Sequence, residues 1–202
     1  KNVSFSESSM ISSNLQNVIL KETNFENSNL ERSIFDNLVV NEGKFQNSNL
    51  IKSKFSNTKL DFSNFSGTDL TFANFNDVIA TNTDFKFAKL YKTKFFGSNL
   101  SNSDFSKSDN YYSEFKNSNL KNTNFQDARL SHVNFLNTDL TNSNFLDIFP
   151  IESKFENSNL DNAEINTCLK HDTVSRIINK ILRTIDSWNF EFLEKVFVNI
   201  CT

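Results

Sequence analysis

Every fifth residue of this chain is apolar over most of its length, and that period excludes most ways in which a polypeptide can fold. From Phe5 to Ile165 there are 33 such positions, occupied by 15 Phe, 12 Leu, Met10, Val40, Ala80, Asn110, Pro150 and Ile165. Helices repeat their apolar residues at three and four, and half-buried strands at two. A period of five matches neither, so the chain must turn after each unit. Two residues before each central position i stands Ser, Thr, Ala or Gly in 27 of the 33 units, the exceptions being Val3, Val18, Leu38, Val78, Val133 and Ile148. The residue between is usually polar, as in Thr23-Asn24-Phe25-Glu26-Asn27 and Ser48-Asn49-Leu50-Ile51-Lys52.

If each unit is one short extended side, residues i−2 and i point inward by strand alternation, i−1 and i+1 point outward, and i+2 makes the corner. Four such sides close a coil of about twenty residues that stacks on the next at about 4.8 Å through parallel backbone hydrogen bonds. Phe fills most odd units and Leu most even ones, so in a four-sided coil Phe stacks on Phe along two opposite walls and Leu on Leu along the others. Every layer then has a similar volume, as a narrow packed interior requires. Eight such coils make a rod of about 38 Å.

These units resemble the pentapeptide-repeat family, whose consensus is a small residue, Asp or Asn, Leu or Phe, and two variable residues. The match runs from about residue 3 to residue 167 in unbroken register. The resemblance implies an all-β solenoid, a right-handed quadrilateral β-helix, with the hand coming from the family rather than from the spacing. It also implies a non-enzymatic role in protein interaction. The best-known members resemble duplex DNA and bind DNA gyrase or topoisomerase IV. Others form the N-terminal domain of bacterial secreted effectors such as HECT-like ubiquitin ligases.

The repeat defines a β-helix over residues 1–168, and residues 169–202 read differently. Behind a plausible N-cap at Asp172, the residues Val174, Ile177, Ile178, Ile181, Leu182 and Ile185 recur at helical spacing, and Phe192, Leu193, Val196, Phe197 and Ile200 suggest a second helix. An α-helical cap on the open end of the solenoid is expected, or a dimer or interdomain contact through Ile177, Ile181, Ile185, Phe192 and Val196. The repeat is already running at Val3, so a longer protein of effector type is the expected context, either cytoplasmic or secreted into a host cell.

Composition narrows the chemistry. With 37% apolar and 22% charged residues, the chain offers no run long enough to span a membrane, and no signal peptide is visible. Cys168 and Cys201 are too few for a disulfide framework, and Cys168 with His171 makes only a lone Cys-x-x-His. The other histidine, His132, is remote in sequence. No phosphate loop, zinc-protease helix or nucleophile elbow is present, so no catalytic residue, metal site or cofactor is assigned. Cys201 has no adjacent His and could not serve as the nucleophile of a ligase domain.

Function is therefore expected on the outward columns, with a protein as partner and no direct nucleic-acid binding. The wall of Phe5, Phe25 and Phe45 sums to −4, the opposite wall to zero, the wall of Leu30, Leu50 and Leu70 to +1, and the fourth to −2. B-DNA carries about 22 charges over a comparable length, so the charge is a thin imitation of a duplex. Lysines (Lys44, Lys54, Lys59, Lys89, Lys94, Lys154) even replace Asp or Asn at i−1. The more informative surface is aromatic: Ile51, Tyr91, Tyr111 and Ile151 share one i+1 column, with Phe72 and Tyr112 beside them at i+2. These six residues form a candidate partner surface. The two central irregularities on that wall carry their own expectations. Asn110 should either bond a carbonyl of a neighbouring coil or bulge outward, and Pro150 should distort its coil locally.

Overall fold

The computed structural model describes residues 3–148 and 150–166. The coil has four sides and twenty residues: parallel bridges join each i−1 residue to the one twenty further on, as in Asn24 to Lys44, Lys44 to Asn64 and Asn64 to Asp84. Sides this short seldom qualify as strands, and among the described residues only β1 (Asn144–Leu146) and β2 (Glu164–Asn166) do, paired in parallel with Phe145 opposite Ile165. The first wall carries Phe5, Phe25 and Phe45. The second carries Met10, Leu30 and Leu50, the third Leu15, Phe35 and Phe55, and the fourth Leu20, Val40 and Leu60.

Backbone accounting explains why five residues suffice. In the unit centred on Phe65, Asn64 N–H donates back to the Gly43 carbonyl, while Phe65 and Gly67 N–H donate forward to the carbonyls of Asp84 and Lys86. Ser66 N–H donates to Oδ1 of Asn64 at 2.8 Å, and Thr68 N–H closes the turn on the Phe65 carbonyl at 3.2 Å. No donor is left over. Asn and Asp are frequent at i−1 because their side chains take the i+1 N–H in this way. Where i−1 lacks an acceptor, the coil below supplies one: with Lys54, Ile79 or Lys94 in place, the N–H groups of Ser56, Thr81 and Phe96 go to Asp36, Asp61 and Asn76.

The corner uses i+1 and i+2, not i+2 alone. From Glu7 to Asn162 every i+2 residue has φ between 51° and 67°, the left-handed region. Asn tolerates that region better than other side chains do, and thirteen of these corners are Asn. The conformation accounts for much of the chain's asparagine content.

The axis is filled by two stacked ladders of phenylalanine. Phe25 stacks on Phe45 at 4.9 Å and Phe35 on Phe55 at 4.5 Å, and the ladders meet edge to face, with Phe25 and Phe35 at 90°. The sequence expectation of Phe on Phe along opposite walls is met. Most of the small inward hydroxyls are satisfied, as where Ser28 Oγ donates to the Phe25 carbonyl and Thr58 Oγ1 to the Phe35 carbonyl on the coil below, whereas those of Thr23, Ser53 and Ser113 have no partner among the described residues. Large i−2 residues are tolerated where the centre shrinks, as with Leu38 beside Val40 and Val78 beside Ala80, all buried.

Neither expectation for Asn110 holds. It is 0% exposed, its N–H keeps the ladder bond to the Arg129 carbonyl, and its amide donates to Ser108 Oγ at 2.6 Å on its own side. Its Oδ1 has no partner. Packing between the leucine layers holds the side chain in, so no bulge forms. Pro150 is buried as well, with its carbonyl accepting from Ser153 N–H. The forward donor it lacks would face residue 169, outside the described residues. The boundary at 168, the expected helices over 172–200, Cys168 and His171 also lie outside them.

Candidate functional site

The second wall ends in a corner whose i+2 column reads Arg32, Lys52, Phe72, Lys92, Tyr112, His132 and Glu152. All seven have φ between 54° and 61°, so their side chains leave the corner in the same direction, one coil apart. Beside them runs the i+1 column, with Ile51, Tyr91, Tyr111 and Ile151.

Four of the six residues expected from sequence come together. Phe72 meets Tyr91 edge to face at 5.5 Å, Tyr91 stacks on Tyr111 at 5.9 Å, and Tyr111 and Tyr112 lie 4.4 Å apart. Phe72, Tyr111 and Tyr112 are exposed, whereas Tyr91 is half-buried beneath its neighbours. Ile151 is exposed one coil beyond the rings and its carbonyl accepts from His132 N–H. Ile51 is half-buried and joins no ring contact, so it borders the cluster rather than belonging to it.

Three members were missed in the sequence. His132 packs against Tyr112 at 4.6 Å and Tyr111 at 5.3 Å, and its Nε2 lies 3.0 Å from Glu152 Oε2. Lys92 places its ammonium 5.6, 5.2 and 5.8 Å from the ring centres of Phe72, Tyr91 and Tyr112, and Lys52 reaches Phe72 from the other side at 6.0 Å. The signal that finds all three is the twenty-residue column, since Lys52, Phe72, Lys92, Tyr112 and His132 are equally spaced. The Tyr112 phenol donates to the Tyr111 oxygen, which holds its proton and raises its pKa above the ordinary value.

Such an arrangement suits binding. Aromatic faces and edges with ammonium groups over them recognise other side chains by contact and charge. Among the described residues no group of three His, Cys, Asp or Glu side chains is placed to hold a metal ion. No described helix is long and apolar enough to cross a membrane.

Comparison with known proteins gives the coil its relatives. The profile described as "Pentapeptide repeat region" matches residues 88–165, and that described as "Pentapeptide repeats (8 copies)" matches residues 1–37, 44–77 and 68–106. No curated protein sequence matches the chain significantly. Among solved structures, a trypsin-treated variant of QnrB1, a plasmid-mediated fluoroquinolone resistance protein, aligns with a TM-score of 0.52 at 12% identity, over 88% of this chain and 95% of that one. HetL, a pentapeptide repeat protein involved in heterocyst differentiation regulation from the cyanobacterium Nostoc sp. strain PCC 7120, aligns with a TM-score of 0.43 at 16% identity, over 80% of this chain and 84% of that one. At these identities the QnrB1 likeness is one of fold alone. None of these matches supports the expected secreted-effector origin or an attached ubiquitin-ligase domain.

Proposed function

The chain belongs to the pentapeptide-repeat family, whose members wind as right-handed quadrilateral β-helices, and from that premise we propose that it is a non-enzymatic interaction rod holding a protein partner on the Phe72–Tyr112 corner. One observation carries this reading. Phe72, Tyr91, Tyr111, Tyr112 and His132 form a continuous ring cluster at a left-handed corner where Asn or Gly would sit with less strain. Contiguous exposed aromatics of this kind mark partner sites more often than scattered ones do. The amphipathic pattern of Ile177, Ile181, Ile185, Phe192 and Val196 supports a second contact, interdomain or dimeric, within the same reading.

The double variant Tyr91→Ser, Tyr111→Ser tests it. Partners captured from native lysate by the wild-type rod should be lost, with the melting temperature changed by only a few degrees. Retention of every captured partner would refute the reading. A second reading, a DNA-mimicking rod that binds gyrase, draws on the QnrB1 fold likeness. Inhibition of gyrase supercoiling by the purified chain separates the two.

A further inference from the structure

The charges of the second wall are almost entirely matched within the wall itself. Glu31 pairs with Arg32 at 3.2 Å, Asp69 with Lys89 at 3.7 Å and Asp109 with Arg129 at 3.7 Å, and Glu152 Oε2 lies within hydrogen-bond reach of His132 Nε2 at 3.0 Å. Two charged side chains of that wall remain, Lys52 and Lys92. Both are exposed, both touch rings, and neither has a carboxylate within ion-pair distance among the described residues. They clasp the same ring, Phe72, from the coil below and the coil above. The chain as a whole carries −3, so this is a local positive site on a weakly acidic rod.

We propose that the corner takes an acidic protein segment containing aromatic residues, a specification that rests on reading the corner as the partner surface. Carboxylates of the segment settle on Lys52 and Lys92 at either side of Phe72, and its rings lie against the exposed Tyr111 and Tyr112. Charge complementarity chooses this class. Lys52 and Lys92 leave the backbone two coils apart, about 9.6 Å along the rod, and reach opposite sides of Phe72, which suits separate carboxylates on one segment. A continuous phosphate backbone would find only these two cations unpaired along the wall, because the other basic side chains, Arg32, Lys89 and Arg129, already hold Glu31, Asp69 and Asp109. A cationic segment would have to displace Lys92 from its three rings and then face Lys52.

The test is fluorescence anisotropy of a labelled random glutamate–tyrosine copolymer against the full chain, with a lysine–tyrosine copolymer and an oligothymidylate as comparators. The variant pair Lys52→Glu, Lys92→Glu is set against Lys54→Glu, Lys94→Glu, which makes the same change of net charge on the third wall with the same forty-residue spacing. We expect the glutamate–tyrosine copolymer to bind best, to weaken with added salt, and to lose about tenfold or more in affinity in the first pair and under about threefold in the second. If charge reversal disturbs the fold, Lys52→Gln with Lys92→Gln should still lose about threefold or more. Equal losses in the two pairs, stronger binding of the lysine copolymer or the oligothymidylate, or no binding of the glutamate copolymer would each overturn the proposal. The reading of the corner as a protein surface is judged separately, by partner capture with Tyr91→Ser, Tyr111→Ser.

Discussion

The corner after the second wall and the corner after the fourth share one backbone and differ in almost every side chain. After the fourth wall the column reads Glu22, Glu42 and Phe62, then Asn82, Asn102, Asn122, Asn142 and Asn162, with φ between 51° and 61°. Those amides bond along the rod: Asn122 Nδ2 donates to Asn102 Oδ1 at 2.9 Å, and Asn142 Nδ2 to Asn122 Oδ1 at 3.1 Å. After the second wall the equivalent positions hold Phe72, Lys92, Tyr112 and His132 at φ between 54° and 61°. The coil therefore demands a left-handed corner and leaves its chemistry open. Asparagine is what stability alone would choose there, because it accepts the conformation and ties coil to coil. Bulky rings in that region each cost about 1 kcal/mol or more, and they also occur singly at Phe62 and Phe87; among the described residues only those after the second wall join neighbouring rings, and that contiguity calls for a role other than holding the coil.

Mutations can break or sharpen this contrast, and the largest effect should come from the axis that both corners share. Phe85→Ala removes a fully buried ring stacked on Phe105 at 4.7 Å, and should lower unfolding free energy by about 3–5 kcal/mol in denaturant titration, whichever corner is observed. Replacing the orphaned amide under the aromatic corner, Asn110→Leu, should raise stability by about 1–3 kcal/mol, because the buried Oδ1 has no partner and leucine matches the layers on either side. Placing a ring on the polar corner, Asn122→Phe, should cost about 1–2 kcal/mol through the removal of two amide bonds and through left-handed strain. The reverse exchange, Phe72→Asn with Tyr112→Asn, should leave stability within about 1 kcal/mol, because relief of the left-handed strain offsets the missing ring–ring attraction.

The smallest effect is electrostatic. Burial pushes the Asp104 carboxyl up, but hydrogen bonds from Ser106 and the nearby Lys86 ammonium at 3.3 Å outweigh it and hold the group below its ordinary value, while Lys86 is raised in turn. A depressed carboxyl stabilises the folded chain above about pH 4 and loses that contribution as the solution is acidified through the folded value. Asp104→Asn should flatten that part of the acid-unfolding curve, by under about 1 kcal/mol for so exposed a pair.

The fold was legible in the sequence because its signal is repeated 33 times and each unit has to satisfy the same interior. Phe25, Phe45 and Phe65 could be placed on one wall by arithmetic alone. The left-handed corner could not, since Asn at i+2 is read as ordinary surface until φ is known. At the site, Tyr91, Tyr111, Phe72 and Tyr112 were found as aromatics in adjoining columns. Lys52, Lys92 and His132 were not, because long cations and a solitary histidine carry no apolar signal and acquire meaning only from the rings one coil away. The behaviour of Asn110 was open for a related reason. A buried amide can turn to several partners, and packing by the neighbouring layers decided that it stayed inside.

The central claim is that the aromatic corner is not needed to hold the rod together, and the melting temperature of the Phe72→Asn, Tyr112→Asn double variant tests it most directly. A midpoint within about 4 °C of the parent, in either direction, is expected. A fall of about 8 °C or more would make the rings a structural brace and contradict the reading of that corner as a surface kept for a partner.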